Sequence, residues 1–187
     1  MNIFSWEMIK SEYVLRETDM VVRKDLLRVS GGSAGHSACV LEYPDWVSAF
    51  ALTENSDVIF VRQYRHGLRK ETLEIPGGWK KPEDKDVEAA ISRELCEETG
   101  YTFERFSLLA CISPNPATHS NQLHCFLATG GRRSAAPKFD EDERIEIVLL
   151  SLGQVKSLLA SGSLLNNGHL TCVFHALMKL GMIGWTR

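Results

Sequence analysis

The sequence predicts a mixed α/β domain in which one mixed β-sheet lies against helices. Three observations predict it. Periodicity along the chain runs strands, helix, strands, helices, which is not the strict alternation of a doubly wound parallel sheet. Two β-rich runs, Trp46 to Leu52 and Val58 to Tyr64, flank a polar turn from Glu54 to Asp57, the pattern of an antiparallel hairpin. After residue 151, "LGQVKSLLASG" and "GHLTCVFHALMKLGM" place apolar residues at helical spacing.

Taken in order, residues 1 to 45 carry the short strand-like runs "EYVLRE" and "MVVRKDLLRVS", and "SGGSAG" at 30 to 35 is the one plausible linker. These residues form a β-rich extension to a domain over 46 to 187. The hairpin comes next, then the extended piece "TLEIP" and a Pro-Gly-Gly turn. A helix follows and stops at Gly100, a residue suited to the left-handed position after a helix. "FSLLACIS", "LHCFLATG" and "RIEIVLLSL" read as three further strands, and the two helical stretches close the chain.

Composition narrows the function. With 187 residues, 44% of them hydrophobic, the chain is large enough for a real core. A formal charge of -3 gives no general attraction to nucleic acid or to an anionic membrane surface. The five cysteines, Cys39, Cys96, Cys111, Cys125 and Cys172, form no CxxC pair, which points to reduced thiols in a cytoplasmic protein. The first residues, "MNIFSWEMIKSEYVLRETD", lack an apolar signal core, and no apolar run reaches the ~18 residues of a membrane span.

The chemistry is written in the first helix. At 100° per residue, Val87, Ala90, Ile91, Glu94 and Glu98 fall along one stripe with Glu97 on its flank. A stripe that is apolar below and acidic above turns carboxylates toward the core, at the helix end where the macrodipole disfavours negative charge. Arg93, four residues before Glu97, is expected to partner one of the three acids. A divalent ion taken by hard oxygen ligands a turn apart would compensate the rest. The plainer reading, a solvated acidic face, would put the acids opposite the apolar side.

The order and spacing of these residues resembles the signature box of the Nudix family, Gly-x5-Glu-x7-Arg-Glu-U-x-Glu-Glu-x-Gly-U with U a bulky apolar residue. Arg93, Glu94, Leu95, Glu97, Glu98, Gly100 and Tyr101 match its second half. The first half departs: five residues separate Gly78 from Asp84 but eight, not seven, separate Asp84 from Arg93, while counting back from Arg93 reaches Lys85, so the loop is one residue longer. Asp84 is expected only to steady that loop or cap the helix. Beyond the box, "VRQYRHG", "TLEIPGG", "SPNPATHSNQLHCFLA" and "DEDERIEIVLLSL" look like segments of the branch that hydrolyses ADP-ribose and other nucleoside diphosphate sugars.

The resemblance implies the Nudix fold, a mixed sheet sandwiched between helices, here with the N-terminal β-rich extension forming a homodimer. It implies Mg2+ or Mn2+ on Glu94, Glu97 and Glu98, with a backbone carbonyl near Gly77 or Gly78 as a further ligand. Arg93 and Glu97 belong to the catalytic set it implies, together with a water-orienting acid from the late cluster "FDEDERIE", Glu143 first and Glu141 second. Arg62 and Arg65 would hold phosphates, unless they form surface ion pairs. Trp6 and Trp46 would stack on the base, unless they serve as core or dimer contacts. Other functions stay open at this point: nucleoside triphosphate or dinucleotide pyrophosphohydrolysis, or a non-catalytic nucleotide-binding regulator, a role in which box glutamates are usually lost.

Overall fold

In a computed structural model of the chain, residues 5–33, 35–138 and 144–184 are described. The chain divides into two compact units, one of the residues up to Pro44 with Ser113–Gln122, the other of Asp45–Ile112 with Leu123 onward.

In the first unit, β1 (Trp6–Arg16), β2 (Val21–Val29) and β3 (Gly35–Glu42) form an antiparallel sheet in the order β1-β2-β3. The expected linker at 30 to 35 is instead the reversal between β2 and β3, which pair from Val21↔Glu42 to Arg28↔Gly35. Gly31, at φ 82°, supplies the left-handed residue that this reversal needs. Asp25 is buried in this sheet and accepts from Ser11 Oγ at 2.8 Å and from Arg23 Nε at 3.0 Å. All eleven residues of β1 are exposed, Trp6, Met8, Tyr13 and Val14 among them.

The second unit holds the hairpin β4 (Trp46–Thr53) and β5 (Val58–Arg65), then β6 (Lys70–Glu74), β7 (Gly77–Trp79), the helix α1 (Val87–Thr99), β8 (Tyr101–Thr102), β9 (Arg105–Ile112), β10 (Leu123–Arg133), β11 (Ile145–Leu150), α2 (Leu152–Ser161) and α3 (Asn167–Lys179). Among the described residues the strands form one eight-stranded sheet along β11-β5-β4-β10-β8, with β6 on β5, β7 on β4 and β9 on β10. Only β10 and β4 run parallel, so the sheet is mixed, as the sequence predicts.

Two apolar layers cover this sheet. Phe50, Phe60, Val58 and Cys125 pack with Val155 of α2 and with Cys172, Val173, Ala176 and Leu177 of α3. Val47, Ala49, Ala51, Ile59 and Phe126 pack with Ala90, Ile91 and Leu95 of α1. Alternate residues of β4 and β5 therefore face opposite helices, which explains why these strands read as nearly continuous apolar runs.

The hairpin is paired over a short stretch. β4 meets β5 at Ala51↔Ile59 and Leu52↔Val58, and beyond these pairs the two strands take other partners. β6 pairs with β5 from Val61↔Glu74 to Arg65↔Lys70, and β7 pairs with β4 from Trp46↔Trp79 to Ser48↔Gly77. The glycines expected in a turn thus lie in a short strand, and both have ordinary backbone angles.

Candidate active site

The helix α1 is fixed at both ends. Asp86 caps its start by accepting from Ala89 N at 2.8 Å, and Gly100, at φ 73°, ends it with its N–H on Cys96 O. Fully burying Ile91 and Leu95 contributes roughly 1.5–3 kcal/mol each, which holds one face of the helix on the sheet. The same face carries Glu94 and Glu98 one and two turns further on. Glu98 is buried and the Glu94 side chain is 12% exposed, whereas Glu97, on the flank, is 39% exposed.

The two inward carboxylates meet β7. Gly77 N donates to Glu98 Oε2 at 3.1 Å. A Cβ on Gly78 would lie 2.5 Å from Glu94 Cδ, and one on Gly77 only 2.2 Å from Val47 O. Only glycine lets this strand pass so close to the acids and to β4 at once, so the pair serves close approach rather than an unusual backbone angle.

Arg93 joins the acids. Its Nη1 donates to Glu94 Oε1 at 2.8 Å and to Glu97 Oε2 at 2.9 Å. Its other edge forks onto Asp84, Nε to Oδ1 at 3.0 Å and Nη2 to Oδ2 at 2.8 Å, and Nη2 also reaches Trp79 O at 2.9 Å. Two expectations are corrected here. Arg93 contacts two of the helix acids, not one, because Glu94 and Glu97 both lie within reach of the same nitrogen. Asp84 does steady the loop, accepting from Lys81 N at 2.8 Å, but it is not the cap, which is Asp86, and its role goes beyond the loop, since it is buried and takes the Arg93 fork. Lys85, the alternative for this position, is 82% exposed beside Asp86.

The charge balance of the acids is uneven. Arg93 above all holds Asp84 below its ordinary pKa. Burial pushes Glu94 up, with the arginine only partly opposing it. One nitrogen shared between two carboxylates leaves Glu94 poorly compensated. Among the described residues no three His, Cys, Asp or Glu side chains form a finished metal cage: Glu94 and Glu97 turn to Arg93, Glu98 to Gly77. The donor set nevertheless fits a hard divalent ion, since carboxylate oxygens a turn apart close on one stretch of glycine backbone and Arg93 divides one nitrogen between two of them.

The other candidates are spread over the molecule. Arg62 Nη1 pairs with Glu146 Oε2 at 3.0 Å, with Arg62 directly opposite Glu146 on β11 and both side chains exposed. Arg65 forks onto Glu74, Nε to Oε1 at 3.0 Å and Nη2 to Oε2 at 2.8 Å. Trp46 starts β4, half-buried against the apolar layer beneath α3. Trp6 lies in the first unit, half-exposed, with its ring 5.6 Å from that of His36. Glu141 and Glu143 lie outside the described residues.

Sequence reasoning did not single out Glu74. It is buried, and besides Arg65 it accepts from Thr72 Oγ1 at 2.6 Å; His169 Nδ1 lies 3.1 Å from Oε2, and Asn166 Nδ2 lies 3.5 Å from the same oxygen. The signal available was a glutamate at the end of an extended run followed by Ile-Pro, where an acid facing solvent would have no reason to be specified. His169 and Asn166 look in sequence like ordinary residues of a helix start.

A model of the NUDIX domain matches residues 43–165. The chain is 28% identical over 154 residues to the methanol dehydrogenase activator of Bacillus methanolicus, covering 82% of each chain. It is 30% identical over 123 residues to an ADP-ribose pyrophosphatase of Bacillus subtilis (strain 168), covering 65% of this chain and 66% of the relative. The crystal structure of an ADP compounds hydrolase superposes with a TM-score of 0.82 at 20% identity, over 98% of this chain and all of that one.

Proposed function

The chain belongs to the Nudix family and is a Nudix hydrolase, and from that premise we propose that it hydrolyses the diphosphate bond of ADP-ribose or another nucleoside diphosphate sugar, giving a nucleoside monophosphate and a sugar phosphate. The observation that carries this reading is the convergence of Glu94 and Glu98 on Gly77 and Gly78, with Glu97 beside them on Arg93. Similarity to ADP-ribose pyrophosphatases supports the substrate class.

Nudix hydrolases generally use divalent cations, and Mg2+ or Mn2+ is the ion proposed here, held by Glu94, Glu97 and Glu98 with the Gly78 carbonyl. Such an ion, when bound, offsets the charge of the diphosphate and lowers the pKa of a bound water. The protein's part is to hold Glu94 and Glu97 in place through Arg93 and Glu98 through the Gly77 N–H, to bring the glycine backbone within reach of them, and to hold phosphate oxygens with Arg62 and Arg65. Glu143, or failing that Glu141, is proposed to orient the attacking water. Trp6 and Trp46 are proposed to stack on the base.

The same reading makes the β-rich segment 1–45 a dimer-forming extension of a catalytic domain over 46–187. Support comes from β1, an outer strand with every residue exposed and an apolar set that includes Trp6, Met8 and Tyr13. A cytoplasmic setting is supported by five free cysteines; among the described residues no helix is long and apolar enough to cross a membrane.

The test is a substrate panel of ADP-ribose, GDP-mannose, UDP-glucose, dinucleotides and nucleoside triphosphates with Mg2+, read by release of phosphomonoester. Preferential turnover of a nucleoside diphosphate sugar is expected. A preference for triphosphates or dinucleotides would move the chain to another hydrolase class. No turnover, with nucleotide still bound, would favour a regulator.

A further inference from the structure

The cluster around Glu74 carries an inference that rests on the diphosphate reading above and deepens it. Glu74 ends β6, three residues before Gly77, whose N–H meets the Glu98 carboxylate. It also lies where β5 has left β4 and taken β6 as its partner, directly across from Val61. Three elements converge on its carboxylate. Arg65, at the end of β5, gives it a two-pronged fork; Thr72, on β6, gives a hydroxyl; Asn166 and His169 bring the cap and first turn of α3.

A buried acid with this many donors forms a junction, and it fixes the arginine more closely than it fixes anything else. Forked pairing locks the plane of the guanidinium, since two parallel N–H···O contacts leave no rotation about the arginine's last bonds. The Arg65 side chain nevertheless stays 42% exposed while Glu74 is only 4% exposed, so one end of the pair is anchored and the other faces solvent. Arg62, by contrast, pairs with an exposed glutamate, and such a pair constrains little.

We propose that Glu74 is a positioning residue for substrate binding: anchored by His169 and Asn166 of α3, it holds the Arg65 guanidinium in one orientation, from which Arg65 takes an oxygen of the diphosphate or its attached sugar. Orientation set before binding spares the entropy of ordering a long side chain when the substrate arrives. Loss of the anchor therefore weakens substrate binding and leaves the chemical step largely intact.

The experiment is steady-state hydrolysis of ADP-ribose with Mg2+ by the full chain as wild type, Glu74→Gln, Arg65→Lys, His169→Gln and the Glu74→Gln/Arg65→Lys double variant. Direct binding of ADP-ribose is measured alongside by calorimetry in chelator. Glu74→Gln and Arg65→Lys should each raise KM on the order of tenfold with kcat within about threefold, and the double variant should be no worse than either single one. His169→Gln should raise KM by a smaller factor, and calorimetry should show the same ranking. A KM within about twofold of wild type for Arg65→Lys overturns the proposal, as do single effects that multiply in the double variant. If Glu74→Gln does not fold, Arg65→Lys and His169→Gln decide. A wild type inert toward the whole substrate panel overturns the diphosphate reading and this inference together, whereas an active wild type with an unchanged KM in Arg65→Lys overturns this inference alone.

Discussion

Two glutamates, the buried Glu74 and the largely buried Glu94, each sit beside an arginine, yet the two sites balance their charge in opposite ways. At Glu74 burial pushes the pKa up, but the hydrogen bonds from Arg65 and Thr72 and the nearby His169 ring together prevail and hold the carboxyl well below its ordinary value. At Glu94 burial prevails, because Arg93 divides one nitrogen between Glu94 and Glu97 and gives its fork to Asp84. The difference separates a carboxylate whose charge several protein groups offset from one that a single shared nitrogen serves, which is the one proposed to take a cation. Burial of an acid alone would not distinguish them; the count of donors does.

Removing the acids one at a time sharpens the contrast, and the largest effect belongs to the helix. Glu98→Gln should lower kcat on the order of 10³-fold, measured with saturating ADP-ribose and Mg2+, because it removes an oxygen ligand of the proposed ion. Activity should likewise disappear with chelator and return with Mg2+ or Mn2+. Full turnover in metal-free buffer would break the account of the site.

Asp84→Asn comes next. Asparagine keeps one acceptor but loses the charged fork, so Arg93 is freed to shift and take Glu94 and Glu97 with it. A loss of roughly 10-fold to 100-fold in kcat/KM is expected, the usual size when a partner of a ligand is lost. Asp86→Asn, which can still cap the helix, should stay within about twofold. Equal losses in the two would mean that the loop, not the Arg93 fork, supports the site.

Stability against pH gives the smaller and opposite signatures. A carboxyl held below its ordinary pKa of 4.5 stabilises the fold above that pH, and its contribution is lost as the pH falls further. Glu74→Gln should therefore lower the melting temperature at pH 7 and flatten its fall toward acid pH. Glu94 has the reverse sign, since a raised pKa means that the ionised form costs stability at neutral pH. Glu94→Gln should raise the melting temperature of the metal-free protein by a few degrees, about 2–4 °C for each kcal/mol recovered in a chain of this size, while abolishing activity. A fall in both variants would show that hydrogen-bond loss outweighs the charge at Glu94.

Much of this was legible in the sequence. The helix α1 with its Gly100 stop and the acidic stripe follow from a period of 3.6, and the hairpin from two nearly continuous apolar runs around a polar turn, because both faces of β4 and β5 are covered by helices. The short strand at Gly77 was not, because glycine pairs signal turns far more often than a strand squeezed between a helix and its neighbour. Nor was the Asp84 fork: spacing along the chain cannot show which side chain of the loop meets the arginine. Glu74 was hidden for a third reason. Its partners lie 9 residues away at Arg65 and 92 at Asn166, and periodicity carries no information across such separations.

The most direct test of the central claim, that incomplete charge compensation rather than burial itself marks Glu94 as a proposed metal ligand, is calorimetric titration of Mn2+ into metal-free wild type, Glu94→Gln and Glu74→Gln, each shown to be folded by circular dichroism. The account predicts binding by wild type and Glu74→Gln with similar affinity, and a loss of at least about tenfold in Glu94→Gln. Undiminished Mn2+ binding by Glu94→Gln, or its loss in Glu74→Gln alone, would contradict it.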